Sequence, residues 1–123
     1  MIKVLIADDD PAILRLVKTI VEKEGFEAVT ARDGKEAYQF LQSGESFGAA
    51  IFDVVMPHLI GTDLVKHMQS NERLSKIPVI IMTAEQNSGM ATDSYKAGAI
   101  GFLPKPFTPS QIKSMLSMFA KTN

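Results

Sequence analysis

Ile2-Lys3-Val4-Leu5-Ile6-Ala7-Asp8-Asp9-Asp10-Pro11 opens the chain with an apolar run that stops abruptly at three carboxylates and a proline. An apolar run without polar alternation reads as a strand buried on both faces, the pattern of a parallel sheet covered by helices. Its end, where the chain emerges into solvent, is an expensive place for clustered negative charge. Two unit charges about 4 Å apart repel by about 4 kcal/mol at an effective dielectric near 20, so such a cluster takes up protons or recruits a cation. Asp10 has a task of its own. Standing before Pro11 and the amphipathic series Ile13, Leu14, Val17, Ile20 and Val21, it caps a helix. Asp8 and Asp9 remain as a pair with no local structural duty.

Working outward, short apolar runs recur at Ile2 to Ala7, Phe26 to Ala31, Ala49 to Phe52, Pro78 to Met82 and Ile100 to Leu103. Between them, segments of helical period predict helices at Pro11 to Glu24, Gly34 to Ser43, Gly61 to Ser70, Ser88 to Ala97 and Pro109 to Lys121. Asp33 reads as the cap of the second helix and Thr108-Pro109 as the start of the fifth, while the fourth has a thin apolar face. Strand and helix alternate throughout, which defines an α/β fold with a doubly wound, five-stranded parallel sheet and five helices on its two faces. At 123 residues, with no linker or low-complexity tract, residues 1–123 read as a single domain.

Composition narrows the chemistry. Thirteen basic residues against fourteen acidic ones give a net charge of −1, and the dispersed cations leave no electrostatic footprint for nucleic acid. With no cysteine, disulfides, thiolate metal sites and cysteine nucleophiles are excluded. No apolar run reaches the length of a membrane span and no signal peptide opens the chain, so the expected setting is soluble and cytoplasmic. The glycines form neither a dinucleotide-binding nor a Walker-type loop.

An open parallel sheet binds its ligand beyond the carboxyl ends of its strands. Strand one ends at Asp8 and Asp9, strand three at Asp53, strand four at Thr83, and strand five runs to Lys105. Carboxylates, a hydroxyl and an ammonium therefore share one rim. Three carboxylates suit Mg²⁺, which takes one or two of them, keeps several waters and adds a phosphate oxygen. Lys105 and Thr83 can neutralise and orient a phosphoryl group, and a carboxylate can itself be the nucleophile that becomes an aspartyl phosphate. Asp53 stands alone at its strand end and leads into Val54-Val55-Met56-Pro57, whose carbonyls can complete a metal shell. His58 and His67 have no second ligand at metal spacing and read as loop and surface residues. The seven Met read mostly as core filler.

Taken together, Val4 to Pro11, Phe52 to Pro57, Pro78 to Ala84 and Gly98 to Phe107 closely resemble the four motifs of a bacterial two-component response-regulator receiver domain, chemotaxis-regulator-like, in order and over essentially the whole chain. The resemblance implies a flavodoxin-like strand order 2-1-3-4-5. It implies that Asp53 accepts a phosphoryl group from a phosphohistidine on a sensor histidine kinase or histidine phosphotransfer protein. Asp9 matches a direct Mg²⁺ ligand, Asp8 its acidic neighbour acting through water, and the Val55 carbonyl a further ligand. Lys105 matches the group that holds a phosphoryl oxygen, and Thr83 a hydroxyl that reorients toward another. Phe102 falls where the family places a switch aromatic, often Tyr, so that the face of the fourth helix, fifth strand and fifth helix changes for an output partner. Lys105 must turn back over the rim, which implies a cis peptide before Pro106. Ile60 departs from the family's acidic residue before Gly61, and Val55 and Glu85 occupy positions that tune phosphoryl lifetime.

The expected function is thus a phosphorylation-controlled signalling domain that is not an enzyme beyond its own phosphorylation and dephosphorylation. A stand-alone regulator and a receiver from a longer kinase or transcription factor both fit. The rival is a small Mg²⁺-dependent phosphohydrolase of the haloacid dehalogenase type, whose Asp-x-Asp spacing Asp8-Asp9-Asp10 contains, although Pro11 and Ala12 depart from its continuation. A flavodoxin-like FMN carrier needs a Ser/Thr-rich phosphate loop where this chain has carboxylates.

Overall fold

The structure is a computed structural model that describes residues 1–54, 61–83 and 88–120. Along the chain run β1 (Lys3–Ala7), α1 (Pro11–Lys23), β2 (Glu27–Ala31), α2 (Gly34–Gln42), β3 (Ala49–Asp53), α3 (Gly61–Gln69), a 3₁₀ turn (Leu74–Lys76), β4 (Val79–Thr83), α4 (Ser88–Ala97), β5 (Gly101–Pro104) and α5 (Pro109–Phe119). All four strand pairings are parallel, in the order β2-β1-β3-β4-β5. Five strands and five helices therefore stand where the hydrophobic pattern puts them, with ends moved by a residue or two. Lys105 lies just beyond β5 and not within it, and the residues after Ala120 lie outside the described set.

Alternate strand residues face opposite sides, and two cores result. Leu5, Ala50, Phe52, Val79 and Ile81 meet α2, α3 and α4 through Leu41, Leu64, Val65, Met68 and Ala97. Val4, Ile6, Ile51, Ile80 and Met82 meet α1 and α5 through Leu14, Val17, Ile20, Val21, Ile112 and Leu116. Strands covered on both faces have no need of polar alternation, which is why β1, β3 and β4 are apolar except for Lys3 at the start of β1 and for Asp53 and Thr83 at the ends of β3 and β4. Met68 and Met82 are core residues, as expected, whereas Met118 is 72% exposed and Met1 more so.

The starts of α1, α2 and α5 obey their local chemistry. Asp10 Oδ1 accepts from the Ala12 N–H at 2.9 Å, and Asp33 Oδ1 from the Glu36 N–H at 2.8 Å. At α5 the Thr108 hydroxyl accepts from Gln111 N–H while the Gln111 side chain accepts from Thr108 N–H, a reciprocal capping box. Thr108→Ala should cost about 1 kcal/mol, measured by urea unfolding, with the slope of the transition unchanged. α1 stops where Gly25, at φ +91°, turns the chain into β2.

Candidate functional site

Parallel strands bring their carboxyl ends to one rim, and register decides which residues meet there. Ala7 pairs with Phe52 and Asp53 with Met82, so Asp8 leaves β1 level with Asp53, and Thr83 ends β4 one residue further on. Thr83 also pairs with Pro104, and its carbonyl accepts from the Lys105 N–H at 2.8 Å, which sets Lys105 at the same rim. The Lys105-Pro106 peptide is cis, as the resemblance implied.

One carboxylate oxygen from each of Asp8, Asp9 and Asp53 lies within 4.8 Å of the others. The Lys105 ammonium reaches Asp8 Oδ2 at 2.7 Å and Asp53 Oδ2 at 3.3 Å. Asp8 is fully buried, with side-chain exposures of 9% for Asp53 and 14% for Lys105. Burial lowers the affinity of Lys105 for its proton, but the hydrogen bond to Asp8 and the charges of Asp53 and Asp8 outweigh it, and its pKa ends above the ordinary 10.5. Lys105 is a fixed cation.

The expectation that Asp8 has no local structural duty is corrected. Its Oδ1 accepts from the Asp10 N–H at 2.9 Å, an Asx turn that shapes the loop, while Oδ2 holds Lys105. Asp9, by contrast, is exposed, and among the described residues its carboxylate has no hydrogen-bond or ion-pair partner. Of the pair, Asp9 offers the free oxygens.

Thr83 is buried beside this group, and Phe102 is half-buried against the α2–α4 core. Phe102 also lines a groove of about 470 Å³ between α4, β5 and α5, with Tyr95, Ile100, Met115 and Met118. Val55, His58, Ile60 and Glu85 lie outside the described residues. His67 is apart from the site, half-buried on α3, with its ring 4.9 Å from that of Tyr38 and its Nε2 3.1 Å from Gln42 Nε2. It belongs to the α2–α3 surface.

Residues 4–117 match the response regulator receiver domain family, and the chain belongs to that family. It is 34% identical over 122 residues to chemotaxis protein CheY1 of Helicobacter pylori, covering 98% of both chains. Chemotaxis protein CheY of Pseudomonas aeruginosa is 33% identical over 123 residues, again with 98% of each covered. Among solved structures, the chemotaxis response regulator CheY4 of Vibrio cholerae superposes with a TM-score of 0.88 at 32% identity, over 97% of this chain and 98% of that one. The chain is accordingly a CheY-like receiver domain with a phosphoacceptor signalling role. The haloacid dehalogenase alternative gains no support. Its nucleophile would be Asp8, whose two oxygens are taken by Asp10 N–H and Lys105.

Among the described residues, no helix is long and apolar enough to cross a membrane.

Proposed function

We propose that Asp53 is the phosphoacceptor of this receiver domain, taking a phosphoryl group from a phosphohistidine of a sensor histidine kinase or a histidine phosphotransfer protein in the cytoplasm. One observation carries the reading: Asp53 ends β3 beside Asp8 and Asp9 and within 3.3 Å of the Lys105 ammonium. In the transfer, an Asp53 carboxylate oxygen forms a bond to phosphorus as the phosphorus–nitrogen bond to histidine breaks, and the imidazole leaves with its electron pair. The chain assists only this step and the later hydrolysis, in which water takes the phosphoryl group as inorganic phosphate and the Asp53 carboxylate is restored.

An all-oxygen donor set with one exposed carboxylate fits Mg²⁺. Asp9, Asp53 and the Val55 carbonyl would hold the ion directly and Asp8 through water. Bound there, Mg²⁺ would offset the charge that builds up on the transferring phosphoryl oxygens. Lys105 faces the same oxygens with an ammonium that stays protonated at any physiological pH, and Thr83 would donate its hydroxyl to another.

Labelled acetyl phosphate with Mg²⁺ should leave a hydroxylamine-labile acyl phosphate, and a chelator should prevent it. Calorimetry should find a larger loss of Mg²⁺ affinity in Asp9→Ala than in Asp8→Ala, because only the Asp9 oxygens are disengaged. Equal Mg²⁺ binding by the parent and Asp9→Ala would remove Asp9 from the metal site.

The output side of the proposal rests on Thr83 and Phe102. A Thr83 hydroxyl drawn toward a phosphoryl oxygen vacates volume that the half-buried Phe102 ring can fill, and the α4–β5–α5 face then changes for an output partner. Phosphorylation shifts that equilibrium only by binding one packing better than the other. With beryllofluoride as phosphoryl mimic, NMR shift changes at Phe102 and along α4–β5–α5 should vanish in Thr83→Ala while those at Asp53 persist. Unaltered changes at Phe102 would mean that the coupling runs elsewhere.

A further inference from the structure

We propose that Asp10, the third carboxylate of the triplet, is a positioning residue for Mg²⁺: it holds Asp9 in place through the backbone and neither ligates nor attracts the ion. The inference rests on the Mg²⁺ reading above and concerns how the site is built. Asp8 is anchored by its side chain, with Oδ2 on Lys105 and Oδ1 on the Asp10 N–H, and its own N–H donates to the Ala31 carbonyl at 3.2 Å. Asp9 has no such anchor, since its exposed carboxylate has no partner among the described residues. Where its oxygens point depends on the backbone of residues 8–10. That backbone is fixed from both sides. Asp8 Oδ1 holds the Asp10 N–H, and Asp10 Oδ1 holds the Ala12 N–H at 2.9 Å, with Asp10 extended at φ −89°, ψ 112° and its carbonyl accepting from Leu14 N–H at 3.0 Å. The cap thus ties the metal loop to the first turn of α1, a helix whose Leu14, Val17, Ile20 and Val21 are packed in the core.

A ligand's apparent affinity falls in proportion to the fraction of molecules in the competent conformation. Cutting the cap lets residues 8–10 leave that conformation, whereas a change that keeps the cap does not. Asn caps a helix as well as Asp does and carries no charge, so the two substitutions separate position from electrostatics. The matched control is Asp33, which caps α2 by the same kind of bond at the end of β2 and is no part of the carboxylate group.

Calorimetric Mg²⁺ titrations of the full chain test the assignment. Asp10→Ala should weaken Mg²⁺ binding by more than about twofold and at most about fivefold, the ceiling set by a cap of about 1 kcal/mol, Asp10→Asn should bind within about twofold of the parent, and Asp33→Ala should bind like the parent despite a similar loss of unfolding stability. Equal weakening in Asp10→Ala and Asp10→Asn, shrinking with added salt, would make Asp10 an electrostatic contributor and overturn the proposal. Parent-like binding by Asp10→Ala, or equal weakening by Asp33→Ala, would overturn it too, leaving the Mg²⁺ reading intact. A parent that binds no Mg²⁺ would overturn both.

Discussion

Asp53→Asn will take up no measurable phosphoryl group from acetyl phosphate under conditions that label the parent, a loss on the order of 100-fold or more, because an amide oxygen is no nucleophile at phosphorus. The substitution is nearly isosteric and should leave the fold intact. Asn can keep an oxygen toward the Lys105 ammonium, which now lies 3.3 Å from Asp53 Oδ2, and it removes a negative charge beside the fully buried Asp8. Loss of label therefore reports chemistry and not unfolding, and a urea melt at least as stable as the parent's checks this. Neither neighbour is placed to substitute. Asp8 has both oxygens engaged, and Asp9 would have to give up its assigned metal role to act as nucleophile. Undiminished label in Asp53→Asn would move the acceptor elsewhere, and peptide mapping of the hydroxylamine-labile site would say where.

The parts of this site legible in the sequence are those that local chemistry dictates. Asp10 before Pro11, Asp33 before Gly34 and Thr108 before Pro109 are caps in the structure because a short side-chain oxygen before a helical run has one good use, the orphan N–H groups of the first turn. The rim was legible too, since parallel strands all end on one side and Asp8, Asp53 and Thr83 each follow an apolar run. Even α4, with its thin apolar face, formed where the pattern put it. What escaped is of two kinds. The 3₁₀ turn Leu74–Lys76 is too short to have a period, and its one signal is Asn71, whose side chain accepts from Leu74 N–H at 3.1 Å. The double use of Asp8 escaped for another reason. Its bond to Asp10 N–H competes with no visible pattern, and its pairing with Lys105 joins residues 97 apart, so only the assembled sheet brings them together. A carboxylate that reads as spare in one dimension has both of its oxygens engaged in space.

That constraint makes Lys105 the other residue whose loss should be large. Lys105→Met keeps an unbranched apolar stem but leaves Asp8 fully buried with, among the described residues, no cation within hydrogen-bond reach, and Asp53 beside it. Removing one partner of a buried pair costs about 3–5 kcal/mol, so in chelator the variant should unfold at markedly lower urea than the parent. Two measurements separate this cause from lost packing. On the proposed Mg²⁺ site, the ion would bind the folded carboxylates and stabilise by about 2.7 kcal/mol at a concentration 100 times its dissociation constant, so saturating Mg²⁺ should rescue the variant more than it raises the parent, whose ammonium already occupies Asp8. Adding Asp8→Asn to Lys105→Met should also recover much of the loss, because the fully buried charge is then removed and Asp53, at 9% side-chain exposure, is the one carboxylate of the former ion pairs that keeps its charge. The pH dependence has a definite sign. With its pKa raised in the folded state, Lys105 contributes stability that is fully present below 10.5 and lost as pH rises through the higher folded value. The gap between parent and Lys105→Met should therefore stay constant through neutral pH and narrow only on the alkaline side of 10.5. A gap that is the same with and without Mg²⁺, and that the Asp8→Asn change leaves untouched, would mean that the methylene stem of Lys105, and not its charge, holds this rim together.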